Sequence, residues 1–113
     1  MRIAIPTNDK KHIIYHLRFT QGFMIYEIED GKIQNKYYRK LAKINGQDKG
    51  INDGTYARFV ETLTDCDLII LYAMNSEMLY EFNKAGIDIF STSAPELKGT
   101  IDLFLQGRLV NMS

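Results

Sequence analysis

The sequence predicts a three-layer α/β domain with a five-stranded mixed sheet and the element order β-β-β-α-β-α-β-α. Three observations carry this prediction. Ile3-Ala4-Ile5 and Leu68-Ile69-Ile70-Leu71 are short, wholly apolar runs, the pattern of strands covered on both faces. Glu29-Asp30-Gly31-Lys32 joins two strand-like segments through Asp-Gly, which supplies the positive φ angles of a tight hairpin. Beyond the hairpin, helical and strand patterns alternate, which implies parallel strands joined by right-handed crossovers.

The elements follow in order. The first strand, near residues 2–6, is stopped by Pro6. The second, near 23–28, places Phe23, Ile25 and Glu27 on one face and Met24, Tyr26 and Ile28 on the other. Its hairpin partner spans 32–39 and carries the most polar residues, so it belongs at an edge. The first strand, short and apolar, belongs at the centre. A loop from Leu41 to Asn52 holds Gly46 and Gly50. Asp53 then caps a helix near 54–64, with Tyr56, Phe59, Val60 and Leu63 on one face. A strand follows near 67–72. The second helix, near 76–85, opens at Ser76, turns Met78, Leu79 and Phe82 inward and ends at Gly86 in a left-handed cap. A short strand occupies 87–90. Ser93 and Glu96 read as a capping box for a last helix near 94–106, with Pro95 in its first turn and Gly107 as its stop. The expected core is Ile5, Ile25, Phe59, Leu63, Ile69, Leu71, Phe82, Ile89, Ile101 and Phe104.

Bulk properties narrow the function. The 113 residues suit one domain over 1–113, and 45% hydrophobic with 25% charged residues is ordinary for a globular protein. The formal net charge of zero favours neither nucleic acid nor acidic lipid. One cysteine makes no internal disulfide and no Cys-rich metal framework. No run reaches the roughly 20 apolar residues that span a bilayer. No signal-peptide h-region is legible, so the cytoplasm is the expected location and no membrane partner is expected. The stretch Lys32, Lys36, Tyr37, Tyr38, Arg39, Lys40 and Lys43 is basic and aromatic, but it reads as a charged edge strand and not as a nucleic-acid interface.

The best functional clue is the loop after the first strand. It begins with Pro6-Thr7-Asn8-Asp9 and carries His12, His16 and Arg18, including both histidines of the chain. A rigid strand that gives way to a polar, cationic loop is a common way to present side chains. Asn75 and Ser76 lie beyond the carboxyl end of the central strand, at a helix start where backbone N–H groups attract anions. Thr92 and Ser93 hold the equivalent place after the next strand. These turns and the first loop are expected to share one edge of the sheet.

The run Arg2-Ile3-Ala4-Ile5-Pro6-Thr7-Asn8, a histidine ahead of a Phe-rich strand, and the Glu-Asp-Gly-Lys turn form a recognisable series. It continues through Asp65-Cys66-Asp67-Leu68-Ile69-Ile70, Ala85-Gly86-Ile87-Asp88-Ile89 and Leu105-Gln106-Gly107. In order and spacing these segments resemble the dinitrogenase iron–molybdenum cofactor biosynthesis family. Its members include NifX-like carriers and the C-terminal domain of NifB-type proteins. The resemblance implies a ribonuclease H-like fold and a non-catalytic carrier of an iron–molybdenum or iron–sulfur cluster. A metallocluster donor or acceptor protein would be its partner. It makes His16 the direct metal ligand. Arg18 would balance the cluster's negative charge, and backbone groups at Asn75 and Ser76 would complete the pocket. Where the family has His-Phe-Gly, this chain has His16-Leu17-Arg18. Where many members have Gly-Met-Gly, it has Ala73-Met74-Asn75. The alternative is therefore a regulatory or protein-interaction domain that keeps the fold and has lost the cluster.

Other chemistries are poorly served. Two-metal nuclease catalysis requires clustered carboxylates on the first strand, and Ile3, Ala4 and Ile5 offer none. No nucleophilic triad and no phosphate-binding loop is legible, so the chain is not expected to be an enzyme. Cys66 has apolar neighbours and precedes its strand, at the end opposite the expected site, so it reads as a core thiol. His12 reads as a solvated loop residue.

Overall fold

A computed structural model describes residues 1–41, 57–72 and 75–107. Five strands form one sheet in the order β3-β2-β1-β4-β5. The strands are β1 (Arg2–Pro6), β2 (Gly22–Glu29), β3 (Lys32–Lys40), β4 (Leu68–Leu71) and β5 (Asp88–Ser91). The α-helices among the described residues are α1 (Ala57–Thr62), α2 (Ser76–Lys84) and α3 (Leu97–Leu105). As expected, β1 is central and β3 lies at an edge.

Beta1 joins two kinds of pairing. It runs antiparallel to β2, with Ala4 opposite Ile25, and parallel to β4, with Ala4 opposite Ile69. The β2–β3 hairpin turns at Asp30 and Gly31, whose φ angles of 53° and 74° are both positive, as the Asp-Gly pair predicted. Strands β4 and β5 pair in parallel, as the alternation of helix and strand predicted.

Side-chain alternation divides the core in two. Ala4, Phe23, Ile25, Ile69 and Leu71 face Phe59 and Leu63 of the α1 segment and Met78 and Phe82 of α2. Ile3, Ile5, Met24, Tyr26, Leu68 and Ile70 face Leu97 and Ile101 of α3. Helices therefore cover both faces, and the central strands need the uninterrupted apolar runs that the sequence shows. Of the expected core, Ile89 and Phe104 are only half-buried, because β5 is an edge strand and Phe104 packs edge-on against the half-buried Phe90. Asp53 and Tyr56 lie outside the described residues, as do Leu41's successors in the long loop.

One expectation is corrected. Ser93 and Glu96 do not form a capping box: α3 begins at Leu97, and its N-cap Glu96 makes no side-chain cap bond. Backbone pairing with the first loop competes successfully. Ile13 N–H donates to the Pro95 carbonyl at 3.1 Å, and Leu97 N–H donates to the Lys11 carbonyl at 2.8 Å. This pairing holds the stretch before Leu97 extended and delays the helix.

An ionic group closes the amino-terminal edge of the sheet. Arg39 grips Asp65 with two bonds of 2.6 and 3.0 Å and also donates to the Thr62 carbonyl at 2.9 Å. Arg2 bonds Glu27 at 3.0 Å, and the Tyr37 hydroxyl links the pairs by accepting from Arg39 and donating to Glu27. The basic and aromatic residues of β3 thus tie the edge strand to the α1–β4 connection.

Because Ile69 is fully buried between the central strand and two helices, Ile69→Ala is expected to cost about 2–5 kcal/mol. Urea denaturation measures this directly, and a loss too small to resolve would place the side chain outside the core.

Candidate functional site

The first loop emerges where β1 ends and is built by short polar side chains. Thr7 is fully buried, and its N–H donates to the Gly22 carbonyl at 3.1 Å. Asn8 spans the loop: its amide donates to the Phe19 carbonyl at 3.0 Å, and its oxygen accepts the Gln21 N–H at 2.7 Å. Ile14 N–H returns to the Pro6 carbonyl at 3.0 Å. The backbone groups freed by the end of the strand are therefore satisfied locally.

Asp9 is the hub of the first half. One carboxylate oxygen accepts the N–H groups of Lys11 and His12 at 2.8 and 2.7 Å, and the Thr7 hydroxyl at 3.2 Å. The other oxygen lies 2.7 Å from His12 Nδ1. The His12 and Lys11 bonds hold the Asp9 carboxyl well below the usual carboxylate range. The tight turn puts Lys10 at a positive φ of 66°, and its N–H bonds the Thr7 hydroxyl at 3.0 Å.

A second support comes from β3. The Tyr38 hydroxyl donates to the Thr7 carbonyl at 3.0 Å, reaching the end of β1 from two strands away. It passes over Gly22, where a β-carbon would lie 2.5 Å from the Tyr38 ring. Gly22 is thus the residue that leaves room for the tyrosine.

His16 opens a 3₁₀ turn, Leu17–Phe19, in which Leu17 is buried as an anchor. His16 itself is exposed. Its ring stands edge-on to Tyr15 at 4.7 Å and to Phe19 at 6.0 Å between centroids. Tyr15 and Phe19 are more than 60% exposed, and the Arg18 guanidinium lies 5.5 Å from the Phe19 ring. Tyr15 also meets Tyr72, immediately after β4, at 5.6 Å. The result is an exposed strip of aromatic rings with one imidazole inside it and one cation beside it.

The expected site residues occupy these places. His16 and Arg18 are brought together around Phe19. Asn75 and Ser76 lie beyond the carboxyl end of β4, the end that Tyr72 joins to the loop. Asn75 is the N-cap of α2, and its side-chain oxygen accepts the Met78 N–H at 2.8 Å, so part of that helix start is already committed. Ala73 and Met74 lie outside the described residues. Cys66 is buried at the opposite end of β4, and burial pushes its thiol up to about 12. His12 differs from the expectation: it is exposed yet held by Asp9, not simply solvated. Asp9 and Tyr38 also build this loop, beyond the residues that the sequence motifs mark. The Asp-x-x-His spacing was visible, whereas the reach of Tyr38 depends on strand register. Among the described residues, no three His, Cys, Asp or Glu side chains are grouped to hold a metal ion. No described helix is long and apolar enough to cross a membrane.

A mixed α/β sheet whose central strand ends in an ordered polar loop sets the class of fold, and the comparisons supply the family. The profile of the dinitrogenase iron-molybdenum cofactor family matches residues 1–107, and the chain belongs to that family. It is 30% identical over 109 residues to the uncharacterised protein MJ0580 of Methanocaldococcus jannaschii, covering 96% of this chain and 89% of that one. The fold is also that of PH0822, with a TM-score of 0.78 at 20% identity, covering 98% of this chain and 96% of that chain. The apo form of the orange protein from Desulfovibrio gigas shares it with a TM-score of 0.71 at 11% identity, covering 99% and 92%.

The depressed Asp9 ionisation fixes the sign of a pH effect. Its folded value lies below the unfolded one, so its stabilisation is present above about pH 3.9 and is lost only as pH falls through the lower folded value. The amide resonances of Lys11 and His12 are expected to titrate below the ordinary carboxylate midpoint. Titration at the ordinary midpoint would mean that these bonds do not form.

Proposed function

We propose that this protein is a non-catalytic carrier that holds an iron–molybdenum or iron–sulfur cluster as cargo at His16. The observation that carries the reading is the exposed imidazole set between Tyr15 and Phe19 with Arg18 beside it. The donor set suits a preassembled cluster better than a bare ion. A bare ion needs several protein ligands, whereas a cluster supplies most of its own bonds and takes one imidazole as an outer ligand. A single protein bond also suits a carrier, because the cargo must leave.

The neighbouring groups have distinct tasks. The Arg18 guanidinium offsets the charge of an anionic cluster. The rings of Tyr15 and Phe19 stand edge-on to the imidazole and limit its orientation. Asn75 and Ser76 offer polar groups on the same sheet edge. Cys66 has no part, since its thiol is buried and protonated. Membership of the cofactor family supports this reading, and it points to a cluster-donating or cluster-accepting protein as partner. The strand order 3-2-1-4-5, with β2 antiparallel to both its neighbours and the β1–β4 and β4–β5 pairs parallel, supports the ribonuclease H-like assignment. No carboxylate lies on β1 to hold catalytic ions, which supports a binding role over a nuclease role.

A second reading has its own observation. Exposed aromatic rings beside an arginine also suit a protein-docking surface, as in a regulatory or interaction domain that no longer binds a cluster.

Anaerobic reconstitution with iron and sulfide, followed by metal analysis, separates the two. The carrier reading expects bound iron in the parent, loss of it in His16→Ala with the fold intact, and near-parental iron in Cys66→Ser. Equal iron in parent and His16→Ala, or none in the parent, would support the interaction domain instead.

A further inference from the structure

Of the two strands at the sheet edges, β5 has 4 residues and β3 has 9. Among the described residues no strand pairs with the outer side of β3. The register decides which of its backbone groups point outward. Leu41 N–H donates to the Gln21 carbonyl at 2.9 Å, one step beyond the Gly22–Lys40 pair. Bonded and non-bonded pairs alternate along an antiparallel ladder. Arg39 and Tyr37 therefore bond inward to β2, and Lys36, Tyr38 and Lys40 turn their N–H and C=O groups outward. The bond from Thr7 N–H to the Gly22 carbonyl agrees, because it turns Gly22 toward β1 and away from Lys40. The register shift lies nearer the hairpin, between Glu27 and Ile28, and leaves this stretch regular.

The same three residues share one face of the sheet, since side chains alternate along a strand. Lys36 and Lys40 are exposed on either side of Tyr38, and Lys10 Nζ lies 5.4 Å from the centre of the Tyr38 ring. None of these three lysines is ion-paired among the described residues. Arg39, on the other face, is committed to Asp65. An open backbone ladder and a set of unpaired cations thus coincide on one stretch of edge.

We propose that this edge binds an extended acidic segment of another protein. The segment adds a strand beside β3 and sets two carboxylates, spaced as Lys36 and Lys40 are, against those lysines. Charge selects the occupant. A second copy is disfavoured, because pairing β3 with itself sets lysine against lysine. Nucleic acid has no strand backbone to match the outward N–H and C=O groups. Lysines on an edge deter indiscriminate pairing, and an acidic strand is the partner they do not deter. The inference goes beyond the carrier reading and holds with or without a cluster at His16.

The test titrates the ¹⁵N-labelled full chain with the synthetic peptide Thr-Val-Glu-Val-Tyr-Val-Glu-Val-Thr, whose carboxylates have that spacing. The amides of Lys36, Tyr38 and Lys40 are expected to shift saturably and to gain protection from exchange. The same peptide N-methylated along its backbone keeps its charges and should not bind. The double variant Lys36→Glu, Lys40→Glu should bind the acidic peptide roughly tenfold more weakly and prefer a peptide with lysines in place of the glutamates. The proposal is overturned if the peptide leaves these amides unmoved, if the N-methylated peptide binds as well, or if the double variant keeps the parent's preference. It is also overturned if the protein alone is a dimer with this edge already protected, or if a single-stranded oligonucleotide, and not the peptide, moves these amides.

Discussion

The whole arrangement depends on β1 being buried on both faces and paired on both edges. Ile3, Ala4 and Ile5 are fully buried, with an antiparallel neighbour on one side and a parallel one on the other. A strand in that position cannot carry polar side chains without leaving them unpaired. Its polar residues therefore appear only after Pro6, where the chain leaves the sheet. Thr7, Asn8 and Asp9 follow at once, and each is used to bond the loop that begins there.

That loop has structure of its own. Its first half is organised around the Asp9 carboxylate and is stitched to the segment before α3. Its second half is closed by Asn8 and anchored by the buried Leu17. Tyr38 grips the junction from the edge strand, over a residue that has no side chain to obstruct it. Sequence positions as distant as Thr7, Tyr38 and Pro95 thus converge on one short stretch of backbone. The exposed rings around His16 stand on this base, so the candidate ligand is presented from ordered backbone. Next to Tyr38 in the same strand, Arg39 reaches the opposite way and ties β3 to Asp65 ahead of β4.

The sequence revealed the fold well because the strongest local signals agreed with the tertiary structure. The apolar runs at Ile3 and Leu68 marked the central strands, Asp30-Gly31 marked the hairpin, and the helical stripe of α2 faced the core at Met78 and Phe82. It misread Ser93 and Glu96, since a local capping pattern was outweighed by bonds to Lys11 and Ile13, which no local pattern encodes. At the candidate site, His16 and Arg18 were legible as a loop histidine and its cation. Their aromatic surroundings were only half legible, because Tyr15 and Phe19 lie within three residues of His16 in sequence whereas Tyr72 arrives from the end of β4. The roles of Asp9, Tyr38 and Gly22 could not be read, since each depends on strand register or on a bond that only the folded loop makes.

The central claim is that the loop between β1 and β2 is a fixed platform secured by the sheet. Native-state hydrogen exchange of its amides tests this most directly. Thr7, Lys10, Ile14, Thr20 and Gln21 each donate a backbone N–H within this framework. These amides should exchange far more slowly than unstructured chain, with Thr7 and Ile14 approaching the protection of β1 itself. Exchange of all five at unstructured rates, while β1 stays protected, would contradict the account.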